Sequence, residues 1–234
     1  FQISIDDFPE KHDKVRKIKN LFNNCIESYR LLKKISPKVN PVVSITVSHE
    51  NCDNIKDIFN YLHDKCNIDA IKCGIVRDEG VYKTPQEKRK KIFEAYNWLT
   101  SMLKQKIREK KILNYNDKSL QGKLHKKKDI ISWEMIKQMY LNPKYISPCH
   151  AASLFGIITA NGKVYPCEIL EDKLLGNLRD HNMKFMEIWK SEKTKKTKDF
   201  ILNSKCNCTY ECALTYNILG NFRYQPRLVS SLFN

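Results

Sequence analysis

The chain has 234 residues, enough for one or two domains with a buried core, and its 42 Lys and Arg against 26 Asp and Glu give a formal charge of +16. It contains no run of about 18 apolar residues able to cross a bilayer and no charged leader with an apolar stretch and a small-residue cleavage site. A soluble, cytoplasmic protein with no membrane partner is therefore expected, and the strand pattern already in progress at Phe1 implies that an ordinary beginning lies upstream.

Residues 1–6 alternate apolar and polar as a strand does. From Asp13 the residues Val15, Ile18, Leu21, Phe22, Cys25, Ile26, Tyr29, Leu32 and Ile35 recur at three and four, predicting one helix that ends at Pro37 and Pro41. The β-branched run VVSITVS (42–48) predicts a buried strand. Asp53 is placed to cap a helix with Ile55, Ile58, Phe59 and Leu62 on its apolar face, and IDAIKCGIV (68–76) reads as a further strand. Strand, helix, strand, helix, strand in close succession is the pattern of a parallel sheet covered by helices.

After Gly80 the character changes. Ile92, Phe93, Tyr96, Leu99, Met102, Leu103 and Ile107 predict a long amphipathic helix, 114–128 a polar loop, and ISWEMIKQMYL (131–141) a short helix stopped before Pro143; Trp98 and Trp133 are expected in the core. Two β-rich runs flank Asn161-Gly162, a strong local signal for a hairpin. GNL (176–178) then marks a turn, and Phe185, Ile188, Trp189 and Phe200 have helical spacing.

Most of the positive charge is local. Between Lys83 and Lys128 there are 15 Lys and Arg against four acids, a net +11. Such a segment is either a solvated helical face or a surface for an acidic peptide or RNA. Neither an aromatic-and-basic ribonucleoprotein signature nor a helix-turn-helix pattern supports a nucleic-acid partner.

The cysteines carry the most chemistry. Nine is an odd number, which argues against a fully paired disulfide framework. Cys25, Cys52, Cys66 and Cys73 stand singly in apolar surroundings and read as small core residues. The other five follow the pattern Cys149-x17-Cys167-x38-Cys206-x-Cys208-x3-Cys212. Cys149 and Cys167 bracket the predicted hairpin, so both can face a site reached by the 206–212 loop. Four converging thiolates can hold tetrahedral zinc or an iron–sulfur cluster. The absence of close cysteine knuckles at Cys149 and Cys167 favours the cluster, with zinc, and after it uncoordinated thiols, as the alternatives.

The stretch PCHAASLFGIITANGKVYPCEIL, followed by LLGNLRD, FMEIWKSEKTKK and CNCTYECALTYNIL, closely resembles the SPASM/twitch extension of radical SAM enzymes over residues 148–220. ISIDDFPEKHDKVR resembles that family's fourth barrel strand and loop, and ITVSHENCDNI its fifth. Asp7 stands where the family usually has Gly, and Lys17 follows Arg16 where Gly is common. The family's C-x3-C-x2-C motif occurs nowhere in the 234 residues.

The resemblance implies an α/β chain of three parts: residues 1–80 as the C-terminal half of a radical SAM (β/α) barrel, 81–143 as a basic helical segment, and 144–234 as a small α+β SPASM/twitch domain with a β-hairpin. It implies one auxiliary [4Fe–4S] cluster held by Cys149, Cys167 and two of Cys206, Cys208 and Cys212, with Cys208 the favoured spare. It matches Ser4 and Arg16, with Asp6 beside them, to contacts of S-adenosylmethionine, and Glu168 to an acidic base; His150 reads as a structural neighbour of Cys149. The expected function is that of a radical SAM/SPASM oxidoreductase fragment, inactive alone. It would act on a peptide or small molecule, with an electron donor such as flavodoxin or ferredoxin. The competing reading is a non-catalytic zinc or iron–sulfur module binding an acidic peptide or RNA through its basic segment.

Overall fold

A computed structural model describes residues 1–36, 40–77 and 84–230; Pro37, Gly80 and Lys83 lie outside the described residues. The chain divides into two units, Phe1–Lys126 and Lys127–Asn234.

In the first unit β1 (Gln2–Ser4), β2 (Val42–Val47) and β3 (Ile71–Ile75) form a parallel sheet in that order. Ser4 pairs with Ser44, and Val47 with Ile75, so the carboxyl ends of the strands lie side by side. Val43, Ile45 and Val47 are buried along with Ile71, Cys73 and Ile75, as strands covered by helices require.

The helix expected from Asp13 to Ile35 is two helices, α1 (Pro9–Arg16) and α2 (Leu21–Ile35). Pro9 suits the first turn, where its missing N–H is no loss. Lys17 and Asn20 both adopt left-handed backbone, with φ of 56° and 59°. The Lys17 N–H closes α1 on the carbonyls of Asp13 and Lys14, and the Asp13 carboxylate accepts the Phe22 N–H at 2.8 Å to start α2.

After β2, α3 (Ile55–Asn60) runs on into one π turn over Tyr61–Lys65. Asp53 does not cap it. Asn54 holds the capping position, and the Asp53 carboxylate instead pairs with Lys88 and Lys91 at 2.8 and 3.0 Å. Those lysines belong to α4 (Gln86–Arg108), which buries Ile92, Tyr96, Leu99, Leu103 and Ile107. Trp98 is half-buried, edge-on to Phe59.

The expected polar loop at 114–128 is largely helix. A single α5 (Leu120–Tyr140) takes in both that stretch and the short helix predicted after it. The Ser119 hydroxyl accepts the Gly122 N–H at 3.1 Å and caps the first turn. Lys, Gln and Leu then carry the helix through a segment without apolar periodicity, because their intrinsic helix propensity is high.

In the second unit the later part of α5 buries Trp133, Ile136 and Met139. β4 (Ile157–Ile158), β5 (Lys163–Tyr165) and β6 (Gly176–Asn177) form a small antiparallel sheet. The Thr159 N–H donates the closing bond to the Lys163 carbonyl at 2.9 Å, and Gly162 sits between them with φ of 86°, a conformation that glycine adopts without strain. GNL is therefore the third strand of this sheet plus the start of a 3-10 turn, not a turn alone. The helical spacing after it belongs to α6 (Phe185–Trp189) and α7 (Glu192–Asn203), separated where Ser191 caps α7 through the Thr194 N–H. The unit ends with α8 (Glu211–Leu219) and α9 (Gln225–Val229). No helix among the described residues is long and apolar enough to cross a membrane.

Candidate functional site

Two groups of residues singled out in the sequence occupy defined positions. The first lies at the carboxyl end of the parallel sheet, where open α/β sheets bind ligands. Ser4 is the last residue of β1 and Arg16 the last of α1. The Asp6 carboxylate is fully engaged within the protein: one oxygen accepts the Thr46 N–H at 2.8 Å and the other pairs with Arg16. Its backbone is equally tied. Its N–H donates to His12 Nδ1 at 3.3 Å, and its carbonyl accepts Asn51 Nδ2 at 2.7 Å. Asn51, 1% exposed, also donates to the Thr46 carbonyl and accepts the Ser48 N–H, so it joins the loops that follow β1 and β2. Asp7, in the place of the family's usual glycine, is buried and pairs with Lys11 at 3.0 Å.

The second group lies in the second unit. All nine cysteines are free thiols; Cys52, Cys66 and Cys73 are buried and Cys25 half-buried, away from this group in the sequence. Cys149 and Cys167 are buried in one apolar cluster with Ala151, Val164, Leu175, Ile188 and Ile201, and Cys206 packs against it. A tight turn follows Cys149, with the Ser153 and Leu154 N–H groups bonded to the His150 carbonyl. The hairpin carries the chain back to Cys167, and α7 delivers Cys206, whose N–H bonds to the Ile201 carbonyl at 3.1 Å.

The Cys206 thiol, with smaller contributions from the Ala151 N–H and the Asn217 side chain, lowers the Cys149 pKa despite its burial. Cys149 in turn, with burial, pushes Cys206 up. Burial outweighs the Leu170 and Ile169 N–H groups aimed at Cys167 and raises that thiol. Cys208 and Cys167 are near enough to Cys206 to raise it further by charge repulsion. Cys212 is exposed on the first turn of α8; burial, with Cys212 and Glu168 nearby, pushes the Tyr210 phenol up. As placed, no three His, Cys, Asp or Glu side chains among the described residues form a group able to hold a single metal ion. Amide N–H groups directed at cysteine sulfur stabilise thiolate and suit an iron–sulfur site, whose properties depend on such bonds.

The family model for an iron–sulfur cluster-binding domain, SPASM, matches residues 146–213. The chain carries a SPASM domain. Its matched span begins three residues before Cys149 and includes all five C-terminal cysteines.

No curated protein matches the chain. Among solved structures it is similar to native anSMEcpe with bound AdoMet, a radical SAM enzyme, at a TM-score of 0.57 and 18% identity, covering 100% of this chain and 68% of that one. Native anSMEcpe with bound AdoMet and Cp18Cys peptide gives 0.58 at 17% identity, covering 100% of this chain and 69% of that one. The complex with Kp18Cys peptide gives 0.52 at 16%, with coverage of 100% and 69%. At such identities the likeness is one of fold: an α/β fold like that of a radical SAM enzyme. Residues 146–213 thus match the SPASM model, and the fold of the chain is like that of a radical SAM enzyme.

Sequence reasoning missed Asn51, His12 and Asn217. Asn217 is 4% exposed and lies on α8, where its side-chain oxygen accepts the N–H of His150, next to Cys149 in the chain, at 2.8 Å. The only local sign was an asparagine inside an otherwise apolar helical stretch, ALTYNIL.

Proposed function

We propose that these residues are the C-terminal part of a radical SAM/SPASM oxidoreductase that modifies a peptide, with the SPASM domain holding one auxiliary [4Fe–4S] cluster. The observation that carries this reading is the packing of Cys149, Cys167 and Cys206 about one apolar cluster, inside the stretch that the iron–sulfur SPASM model matches. The peptide class is drawn from the two anSMEcpe complexes, which contain peptides.

Cys149, Cys167, Cys206 and Cys212 are the proposed ligands, with Cys208 spare. The match to the SPASM model supports Cys212, which it includes on the first turn of α8. When bound, such a cluster supplies a one-electron acceptor beside the substrate. The exposed Glu168 carboxylate, next to Cys167 in the chain, receives the proton released as substrate is oxidised. At the other site Ser4 and Arg16 serve S-adenosylmethionine, and Asp6 acts by fixing Arg16 and the loop. In this division residues 1–80 are the second half of the barrel, 81–143 a basic helical segment and 144–234 the auxiliary-cluster domain, and flavodoxin or ferredoxin is the class of electron donor.

The 234 residues contain no C-x3-C-x2-C motif. The test is to express the chain together with the coding sequence preceding Phe1 and assay it anaerobically with S-adenosylmethionine, a reductant and the Cp18Cys and Kp18Cys peptides. Release of 5′-deoxyadenosine that depends on the peptide is the expected result. An in-frame stop just upstream, or an extended protein that binds iron and never cleaves S-adenosylmethionine, would overturn it.

A further inference from the structure

We infer that Asn51 is a positioning residue for S-adenosylmethionine: it fixes Asp6 at the carboxyl end of the parallel sheet, and Asp6 in turn aims the Arg16 guanidinium. The inference rests on the reading of Arg16 as a contact of that ligand.

The frame is the unfinished ladder of β2. The Val42 N–H bonds to the Phe1 carbonyl at 2.9 Å, and the Ser44 carbonyl takes the Ile5 N–H at 3.1 Å. Val43 faces the other way, its N–H on the Ala70 carbonyl at 2.9 Å. Thr46 is therefore the next residue of β2 to present its N–H and carbonyl towards β1. But β1 ends at Ser4, and side chains take the place of the missing strand. The Asp6 carboxylate accepts the Thr46 N–H at 2.8 Å, and Asn51 Nδ2 donates to the Thr46 carbonyl at 2.9 Å.

Asn51 completes the frame with its remaining groups. The same Nδ2 donates to the Asp6 carbonyl at 2.7 Å, and its oxygen accepts the Ser48 N–H at 2.8 Å. Two donor hydrogens and an acceptor on one short side chain are what an asparagine supplies and an ionised aspartate does not. Asp6 is thus gripped at its carbonyl and at one carboxylate oxygen. Its N–H is gripped as well, by His12 Nδ1 at 3.3 Å. Arg16 lies four residues after His12 on α1 and pairs with the second Asp6 oxygen. Its side chain is 40% exposed, so the five-donor guanidinium keeps donors for the carboxylate of a ligand.

Losing the Asn51 amide frees the Asp6 backbone, and the guanidinium then no longer waits in one place. Misplacement of a binding group by about 1 Å can cost up to a hundredfold. The expected loss here is about tenfold in affinity for S-adenosylmethionine, and it depends on Arg16 being present.

The experiment uses the chain expressed with the coding sequence preceding Phe1 and reconstituted anaerobically with iron and sulfide. Binding of radiolabelled S-adenosylmethionine is measured by equilibrium dialysis for wild type, Asn51→Ala and Asn51→Asp, and again with each combined with Arg16→Gln. Asp keeps the size of the side chain and the acceptor for the Ser48 N–H while dropping both donors, so it serves if the Ala variant does not fold. About tenfold weaker binding in the folded Asn51 variants, with little further loss in the Arg16→Gln background, is the expected result. Wild-type affinity in a folded Asn51 variant overturns the inference. So does an equal loss with and without Arg16, which a merely structural role would produce. If Arg16→Gln alone binds as wild type does, or wild type binds no S-adenosylmethionine, it is the reading of Arg16 that fails.

Discussion

Cys206 packs against the apolar cluster that buries Cys149, although 56 residues separate them in the chain. The hairpin and α7 close that distance, and the apolar cluster around Ile188 and Ile201 holds it closed. Replacing Cys149 or Cys206 by Ser should lower bound iron after anaerobic reconstitution by at least half, whereas Cys66→Ser, in the first unit, should leave it unchanged. Iron and acid-labile sulfide analysis of the purified variants checks this.

Asn51 bridges the two loops at the carboxyl end of the sheet through bonds to Asp6, Thr46 and Ser48 at 2.7, 2.9 and 2.8 Å. Its replacement by Ala strands buried backbone groups and should cost about 2–4 kcal/mol. Urea denaturation with an unchanged m-value is the measurement.

Lys17 adopts left-handed backbone at the end of α1, with φ of 56°, and is exposed. A β-carbon is disfavoured there, and Gly carries no such cost. Lys17→Gly should raise stability by about 0.5–1 kcal/mol after allowing for the greater freedom of glycine when unfolded. The same denaturation experiment reads it.

His12 is buried, and burial lowers its pKa below the usual 6.5; Asp6, Asp13 and Asp7 oppose the shift and Arg16 adds to it. Between the folded value and 6.5 the unfolded chain takes up the proton first, so stability rises with pH across that window and is complete above it. Lowering the pH from about 7 to about 5 should thus destabilise the protein, and His12→Asn, which can still accept the Asp6 N–H, should flatten the dependence. Parallel slopes for the two proteins would contradict this.

Much of the arrangement was legible because its signals are local. β2 and β3 are β-branched and apolar runs, and α4 has unbroken helical spacing. The five C-terminal cysteines stand out in the sequence alone, and the family match covers them. What escaped is of two kinds. The break at Lys17–Asn20 and the start of α5 depend on single residues, a left-handed lysine and a capping Ser119, inside stretches whose composition fits a different reading. Asn51 and Asn217 escaped for another reason: their partners Asp6 and His150 lie 45 and 67 residues away, and nothing in a sequence window links them. The Asp6 carboxylate belongs here too, since its bond to the Thr46 N–H crosses 40 residues.

The central claim is that the SPASM domain of this chain holds an iron–sulfur cluster through its C-terminal cysteines. The most direct test is the metal and sulfide content of the full chain after anaerobic reconstitution with iron, sulfide and zinc all present, read with Mössbauer spectroscopy. The account predicts about four iron and four sulfide per chain with a [4Fe–4S] spectrum. About one zinc per chain, with no iron and no sulfide retained, would contradict it.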